Sequence, residues 1–119
     1  MAKYRSKFEA MIASKVSKAA VYEPISVPYV IPETKHKYTP DWVVGDYWVE
    51  AKGKLTLVDR KKMVLIKQQH PDKQIVFVFQ NPNVKISKGS PTTYREWALS
   101  KGFIVWTVEQ FAQFTHHQQ

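Results

Sequence analysis

Two short stretches rich in β-branched and aromatic residues, YTPDWVV over 38–44 and YWVEAK over 47–52, are separated only by Gly45-Asp46. A two-residue loop containing glycine between such stretches is typical of an antiparallel hairpin. The loop length also sets the register, because each residue before the turn then faces a defined residue after it. In this register Asp41 lies directly across from Glu50. The hairpin therefore constrains both the fold and the chemistry.

Opposed carboxylates in such a hairpin need a neutralising partner. The Cβ atoms of directly opposed residues lie about 4.5–5.5 Å apart, so Asp41 and Glu50 would repel each other. Lys52, two residues after Glu50, points to the same face. Mg²⁺ is commonly held by one or two carboxylates, and a lysine beside it can assist the attacking water or stabilise the transition state. The alternative is a solvated charged face, and a loop one residue longer would break the pairing.

The N-terminal part of the chain predicts one helix and one proline-rich extended segment. Ser6 followed by Glu9 reads as a capping box, and apolar residues at helical spacing then extend the helix from about 6 to 20. The capping role alone explains a glutamate at position 9 as well as a functional role would. The following segment, YEPISVPYVIP, carries three prolines, which suits an edge strand or an extended arm.

The C-terminal part alternates helices and short apolar strands. Asp59 can cap a helix through RKKMVLIKQQ, and Ser90-Pro91 can open another that ends before Gly102. The runs IVFVF at 75–79 and FIVW at 103–106 predict buried strands, and a final helical turn or two follows Thr107. This order predicts an α/β fold with a mixed β-sheet flanked by helices.

Composition narrows the class of protein. The 119 residues suit a single domain over 1–119, and the absence of cysteine excludes disulfides and thiolate chemistry. No apolar run approaches the ~20 residues of a membrane span, and no signal peptide is recognisable, so we expect a cytoplasmic protein without a membrane partner. Eighteen basic against ten acidic residues give a net charge of +8, which favours nucleic acid as the partner.

Three longer strings resemble a known family. VPYVIPETKHKYTPDWVVGDYWVEAKG, DRKKMVLIKQQHP and KGSPTTYREW, in order over roughly residues 5–105, are similar to the Holliday-junction-resolving endonuclease I of short-tailed phages. The resemblance implies a restriction-endonuclease-like PD-(D/E)xK fold that cuts four-way DNA junctions and branched DNA with Mg²⁺ or Mn²⁺. It also implies the catalytic residues, which are Glu9, Asp41, Glu50 and Lys52.

The same resemblance implies a metal site and a dimer. Asp41 would bridge two metal ions, Glu50 and the backbone carbonyl of Ala51 would bind the first, and Glu9 would approach the second. Two ions can stabilise both the attacking water and the leaving oxygen. The family is a domain-swapped homodimer, so the helix and arm of residues 1–31 would pack on the partner through a bridge at about 31–35. Glu9 would then complete the partner's site.

Several basic side chains are candidates for DNA contacts. These candidates are Arg60, Lys61, Lys62, Lys85, Lys88 and His36. The first three open a helix, where positive charge opposes the helix dipole, and this mildly favours a role in phosphate binding over a plain solvated face. The rival to a nuclease is a noncatalytic basic module that binds DNA or RNA and whose carboxylates are structural.

Overall fold

The computed structural model describes residues 4–31 and 34–118, and for residues 31, 34 and 35 it describes the backbone alone. Its helices and strands, in chain order, are α1 Lys7–Ala13, β1 Val21–Tyr22, β2 Val27–Ile31, β3 Thr34–Tyr38, β4 Trp42–Val44, β5 Tyr47–Lys52, α2 Leu57–Gln69, β6 Gln74–Phe79, α3 Tyr94–Ser100, β7 Ile104–Val105 and α4 Val108–His117. The predicted bridge at about 31–35 includes residues 32–33, which lie outside this description.

A five-stranded mixed sheet organises the molecule. Its strand order is β1-β4-β5-β6-β7, antiparallel from β1 to β5 and parallel from β5 to β7. Helices flank it, so the predicted α/β class and mixed sheet are confirmed. β2 and β3 form a separate antiparallel pair. Among the helices in the described part of the chain, none combines the length and the apolar character that a membrane span requires.

The hairpin between β4 and β5 has the predicted register. Val44 pairs with Tyr47, and Val43 pairs with Trp48. Gly45 adopts φ 58°, in the left-handed region that glycine enters without a steric cost, so it suits this two-residue turn. Asp41, the acidic residue immediately before β4, therefore lies beside the second half of β5.

The sheet buries apolar side chains on both faces, as expected where parallel strands are covered by helices. One cluster includes Trp48, Met63, Phe77 and Trp97 and joins the sheet to α2 and α3. The other cluster joins the sheet to α1 and α4. Its buried members are Ile12, Trp42, Val44, Val49, Val76, Val78 and Phe111. The N-terminal helix is therefore held against the same sheet that carries the hairpin.

The prediction of a helix from 6 to 20 was wrong in length, since α1 ends at Ala13 with Ser14 as its C-cap. The chain after it is fixed by contacts with α4. The Ser17 hydroxyl donates to the Thr115 carbonyl at 2.6 Å, and the Ser17 N–H donates to the Thr115 hydroxyl at 2.9 Å. These buried tertiary hydrogen bonds replace those that a longer helix would have made.

The single strand predicted at 38–44 is interrupted at Pro40, which lacks the N–H that a ladder needs. Tyr38 ends β3, and β4 starts only at Trp42. Of the two alternatives for the proline-rich segment, the edge strand is the one found, because Val27–Ile31 pairs with Thr34–Tyr38. A short edge strand tolerates Pro28.

Helix starts and ends differ from the predictions in three places. Thr56, not Asp59, is the N-cap of α2, and Asp59 is the third helical residue of a capping box. α3 begins after Thr93 instead of Ser90-Pro91, since the residues before it form a loop closed by a bridge between Lys85 and Thr93. The predicted capping by Thr107 and Gln110 is present, but α4 continues to His117 and exceeds a turn or two.

Candidate active site

Three predicted residues meet at the open end of the hairpin. Asp41 comes immediately before β4, and its Oδ2 accepts the backbone N–H of Ala51 at 2.8 Å. Glu50 and Lys52 lie on β5, and Asp41 and Glu50 are both buried. The two-residue turn fixes this arrangement, because it aligns the start of one strand with the end of the other.

The fourth predicted residue, Glu9, reaches the same place from α1. Ser6 caps the helix by accepting the N–H of Glu9 at 3.0 Å. The Glu9 carboxylate, however, accepts the Tyr22 hydroxyl at 3.3 Å and lies close to Asp41. The carboxylate therefore faces the cluster, and the capping role of this residue is carried by its backbone.

Glu23 is a further acidic residue of the site that the sequence did not indicate. One carboxylate oxygen each from Glu9, Glu23 and Asp41 lie within 4.8 Å of one another. Glu23 directly follows β1, has φ 43°, and donates its backbone N–H to the Asp41 carbonyl at 2.8 Å. Positive φ is uncommon outside glycine, and no sequence pattern predicts it here.

Burial makes the charged forms of the two hairpin carboxyls unfavourable. Desolvation, together with Glu50 and Glu9, raises the pKa of Asp41 from 3.8 to about 8. Desolvation also raises the pKa of Glu50, although Lys52 and a hydrogen bond from Tyr38 favour its charged form. Cations placed beside these oxygens would reverse both effects.

Tyr38 is a second contributor that the sequence did not indicate. Its hydroxyl donates to Glu50 Oε1 at 2.7 Å from a fully buried position. Burial and the neighbouring Glu50 raise the pKa of Tyr38 well above its ordinary value, so the phenol keeps its proton and remains a donor. Glu50 is thus held in one orientation.

Lys52 is placed between two carboxylates. Its Nζ lies 3.7 Å from Glu50 Oε2 and 3.3 Å from Asp59 Oδ1. Although burial acts in the opposite direction, the Thr56 backbone and Lys52 lower the pKa of Asp59. The ammonium group is therefore fixed beside the acidic cluster by an ionised carboxylate from α2.

A basic residue also contacts the cluster. Arg5, which the sequence did not indicate, places Nη2 2.9 Å from Asp41 Oδ1 and Nε 2.7 Å from Glu23 Oε2. A cavity of about 310 Å³ opens at this point. It is lined by Arg5, Ser6, Glu9, Asp41, Glu50, Ala51, Lys52, Gly53 and Lys54.

The donor set of this cavity suits a hard divalent cation. Mg²⁺ and Mn²⁺ prefer carboxylate and carbonyl oxygens. Asp41, Glu50 and Glu9 supply carboxylates, and the Ala51 carbonyl belongs to the same strand end. The raised pKa of Asp41 adds a physical argument, because a group that is costly to ionise when alone gains most from a bound cation.

The predicted DNA-binding side chains are scattered and differ in what they contact. Arg60 donates to the carbonyls of Leu55 and Ile86, at 3.0 and 3.2 Å, so it ties α2 to a loop. Lys62 lies over the Tyr38 ring, 5.4 Å from its centroid, on the side of the candidate site.

Of the other candidates, Lys85 donates to the Pro91 carbonyl at 2.8 Å, and the His36 ring stacks on Tyr29 with centroids 5.4 Å apart. Lys61 and Lys88 are exposed. The structure brings the four predicted catalytic residues together but does not gather the predicted DNA contacts into one patch.

Comparison with known proteins identifies the family of the chain. Residues 1–109 match the family described as phage endonuclease I. The chain belongs to this family. It is 39% identical over 105 residues to endodeoxyribonuclease 1 of Enterobacteria phage T3, covering 85% of this chain and 69% of that protein. It is 40% identical over 103 residues to endonuclease I of Escherichia phage T7, covering 83% and 69%. The predicted family is confirmed, and with it the prediction of an endonuclease.

Proposed function

We propose that this protein is a metal-dependent DNA endonuclease that resolves four-way junctions and other branched DNA by paired nicks. The observation that carries the proposal is the convergence of Glu9, Asp41, Glu50 and Lys52 on one cavity at the end of the hairpin. A noncatalytic module that only binds DNA or RNA gains nothing from buried, mutually repelling carboxylates. Membership of an endonuclease family supports the nuclease over that rival.

In this proposal Asp41, Glu50, Glu9 and the Ala51 carbonyl would hold Mg²⁺ or Mn²⁺, two ions per site. When bound, the ions supply Lewis-acid stabilisation of the phosphate and of the attacking and leaving oxygens. The Tyr38 hydrogen bond keeps Glu50 oriented for this task. Lys52 holds a positive charge beside the cavity, where it stabilises the charge that develops on the phosphate during hydrolysis.

The proposed working form is a homodimer in which residues 1–31 are exchanged. The contacts of this segment support the proposal, since it contributes Glu9, Glu23 and Arg5 to the acidic cluster and its ion pairs while Asp41 comes from the rest of the chain. Exchange between two identical chains would keep every one of these contacts, because only their chain of origin changes. Two sites in one intertwined dimer suit a substrate with two strands to cut.

The cleavage test uses an end-labelled four-way junction and a linear duplex of the same sequence. We expect the wild-type protein to cut the junction in Mg²⁺ but not in EDTA, and to leave the duplex largely intact. Asp41→Asn should abolish cutting while junction binding persists, because shape and basic surface are kept. Asp46→Asn is the matched control, since it makes the same change in the same hairpin at a side chain that is 77% exposed. An intact junction with wild-type protein and Mg²⁺ would favour the noncatalytic module.

The exchange of residues 1–31 needs a separate test. We expect a co-expressed heterodimer of one Glu9→Gln chain and one Asp41→Asn chain to nick a cruciform plasmid without linearising it. With exchange, both lesions fall in one composite site, and the other site keeps wild-type Glu9, Asp41, Glu50 and Lys52. Without exchange, each site carries one lesion and the heterodimer is inactive. Both parent homodimers serve as inactive controls, and absence of nicking by a folded heterodimer would refute the exchange.

A further inference from the structure

The guanidinium of Arg5 occupies a particular place among the acidic side chains. It bridges Asp41 and Glu23 through two different nitrogens, at 2.9 and 2.7 Å. These two residues, together with Glu9, are the ones whose oxygens cluster within 4.8 Å. Arg5 therefore provides positive charge at the point where the carboxylates converge.

Both oxygens of Asp41 are engaged in this arrangement. Oδ2 accepts the backbone N–H of Ala51, which is part of β5, and Oδ1 faces Arg5. The backbone contact is made by β5, the central strand of the sheet, and is fixed. The Oδ1 contact comes from a flexible side chain that always carries a charge, because arginine does not deprotonate in proteins. A cation that binds Asp41 through Oδ1 must therefore take the place of Arg5.

We propose that Arg5 is the resident counterion of this site, that a divalent cation must displace it from Asp41 to bind, and that Glu23 retains the displaced guanidinium beside the cavity. The inference rests on the proposed metal dependence. It assigns Arg5 a role in setting the cation affinity, and it makes Glu23 a positioning residue that acts through Arg5.

Exposure decides whether such a displacement is feasible. The Arg5 side chain is 63% exposed, whereas that of Asp41 is 3% exposed. An ion pair with one solvated partner is weak, so a dication can replace it, yet the competition still lowers the apparent affinity for the cation. We expect loss of the guanidinium to tighten binding about tenfold, the effect of one unit charge a few ångströms away in a largely hydrated position.

Nuclear magnetic resonance of the wild-type protein tests the displacement directly. The chain has only three arginines, at positions 5, 60 and 95, so their Nε–Hε signals are readily separated. On titration with Mg²⁺ we expect the Arg5 Nε–Hε signal to shift, because the charge beside the guanidinium changes, while its exchange with water stays unchanged, because Nε remains bound to Glu23. The Arg60 signal should stay unchanged, since that side chain is bound to two backbone carbonyls. Saturation with Mg²⁺ that leaves the Arg5 signal unmoved would overturn the proposal.

Calorimetric titration of Mn²⁺ into DNA-free protein gives the affinity. We expect Arg5→Ala to bind about tenfold more tightly than wild type. Lys7→Ala is the matched control, because it removes one positive charge from an exposed side chain two residues away and should change the affinity less than about twofold. Equal affinities for the Arg5 and Lys7 variants, or weaker binding by Arg5→Ala, would refute the counterion role.

The two titrations also separate this inference from the proposed function. If Asp41→Asn abolishes Mn²⁺ binding but Arg5→Ala leaves it unchanged, the metal site stands and the counterion role of Arg5 falls. If neither wild type nor Arg5→Ala binds Mn²⁺, the proposed metal dependence fails and this inference fails with it.

Discussion

The substitution Asp41→Asn measures by how much the buried carboxyl of the candidate site lowers the free energy of unfolding. Desolvation and the neighbouring Glu50 and Glu9 raise the pKa of Asp41 from 3.8 to about 8. Between these values the folded protein binds more protons at Asp41 than the unfolded chain does, so stability falls as the pH rises. The contribution of Asp41 to the free energy of unfolding is fully present below its pKa in the unfolded chain, and it is lost as the pH rises to its pKa in the folded protein. Removing the charge should therefore stabilise the metal-free protein at neutral pH.

The stabilisation expected for Asp41→Asn follows from the pKa values of Asp41 in the unfolded and folded protein. At pH 7 Asp41 is ionised in the unfolded chain but largely protonated in the fold, and over the interval from 3.8 to pH 7, at about 1.4 kcal/mol per unit, this difference costs the fold about 4 kcal/mol. Because the amide offers one acceptor oxygen to both the Ala51 N–H and the Arg5 guanidinium, the variant loses one of these two hydrogen bonds, which offsets roughly 1–2 kcal/mol. We expect a net gain of about 2–3 kcal/mol in the free energy of unfolding, or roughly 10 °C in Tm.

The assay is urea unfolding followed by tryptophan fluorescence, at fixed protein concentration and in EDTA. The gain should be present at pH 7 and nearly absent at pH 4, where the unfolded chain also binds a proton at Asp41 about half of the time. Asp46→Asn should lie within about 0.5 kcal/mol of wild type at both pH values, since its side chain is 77% exposed. A variant that is less stable than wild type at pH 7, or equally stabilised at both pH values, would refute the reasoning.

Three further outcomes test other contacts. Tyr38→Phe removes the buried donor to Glu50, so we expect a loss of about 1–3 kcal/mol in urea unfolding and weaker Mn²⁺ binding by calorimetry. Lys88→Ala should flatten the slope of log affinity against log salt for a four-way junction by about one unit, and an unchanged slope would place Lys88 outside the DNA contact. Thr115→Val leaves the Ser17 N–H without its acceptor and should cost about 1–3 kcal/mol of stability, with Mn²⁺ affinity unchanged.

The hairpin shows which part of the site could be predicted from sequence. A two-residue loop leaves one register, and alternation along a strand then assigns each side chain to a face. Asp41, Glu50 and Lys52 follow from those two rules and lie together in the structure. Glu9 did not follow from them, because its spacing from Ser6 is equally that of a capping box, and it was assigned by resemblance.

The other members of the site depend on distant contacts. Arg5 meets Asp41 across 36 positions of sequence, and Tyr38 meets Glu50 only because Pro40 ends one strand and lets the next begin. Glu23 is directed at the cluster by a backbone with φ 43°, which its neighbours in sequence do not indicate. The early end of α1 has the same kind of origin, since Ser17 is bound by Thr115 from the far end of the chain.

The division of the site between two parts of the chain has a thermodynamic consequence. Glu9, Glu23 and Arg5 belong to the segment before residue 31, whereas Asp41 and Glu50 belong to the chain after it. A cation held by both parts stabilises their association by the same free energy by which their association strengthens cation binding, because the coupling is reciprocal. Metal affinity and the docking of the N-terminal segment are therefore linked properties. In an exchanged dimer, the same link would couple cation binding to the stability of the dimer itself.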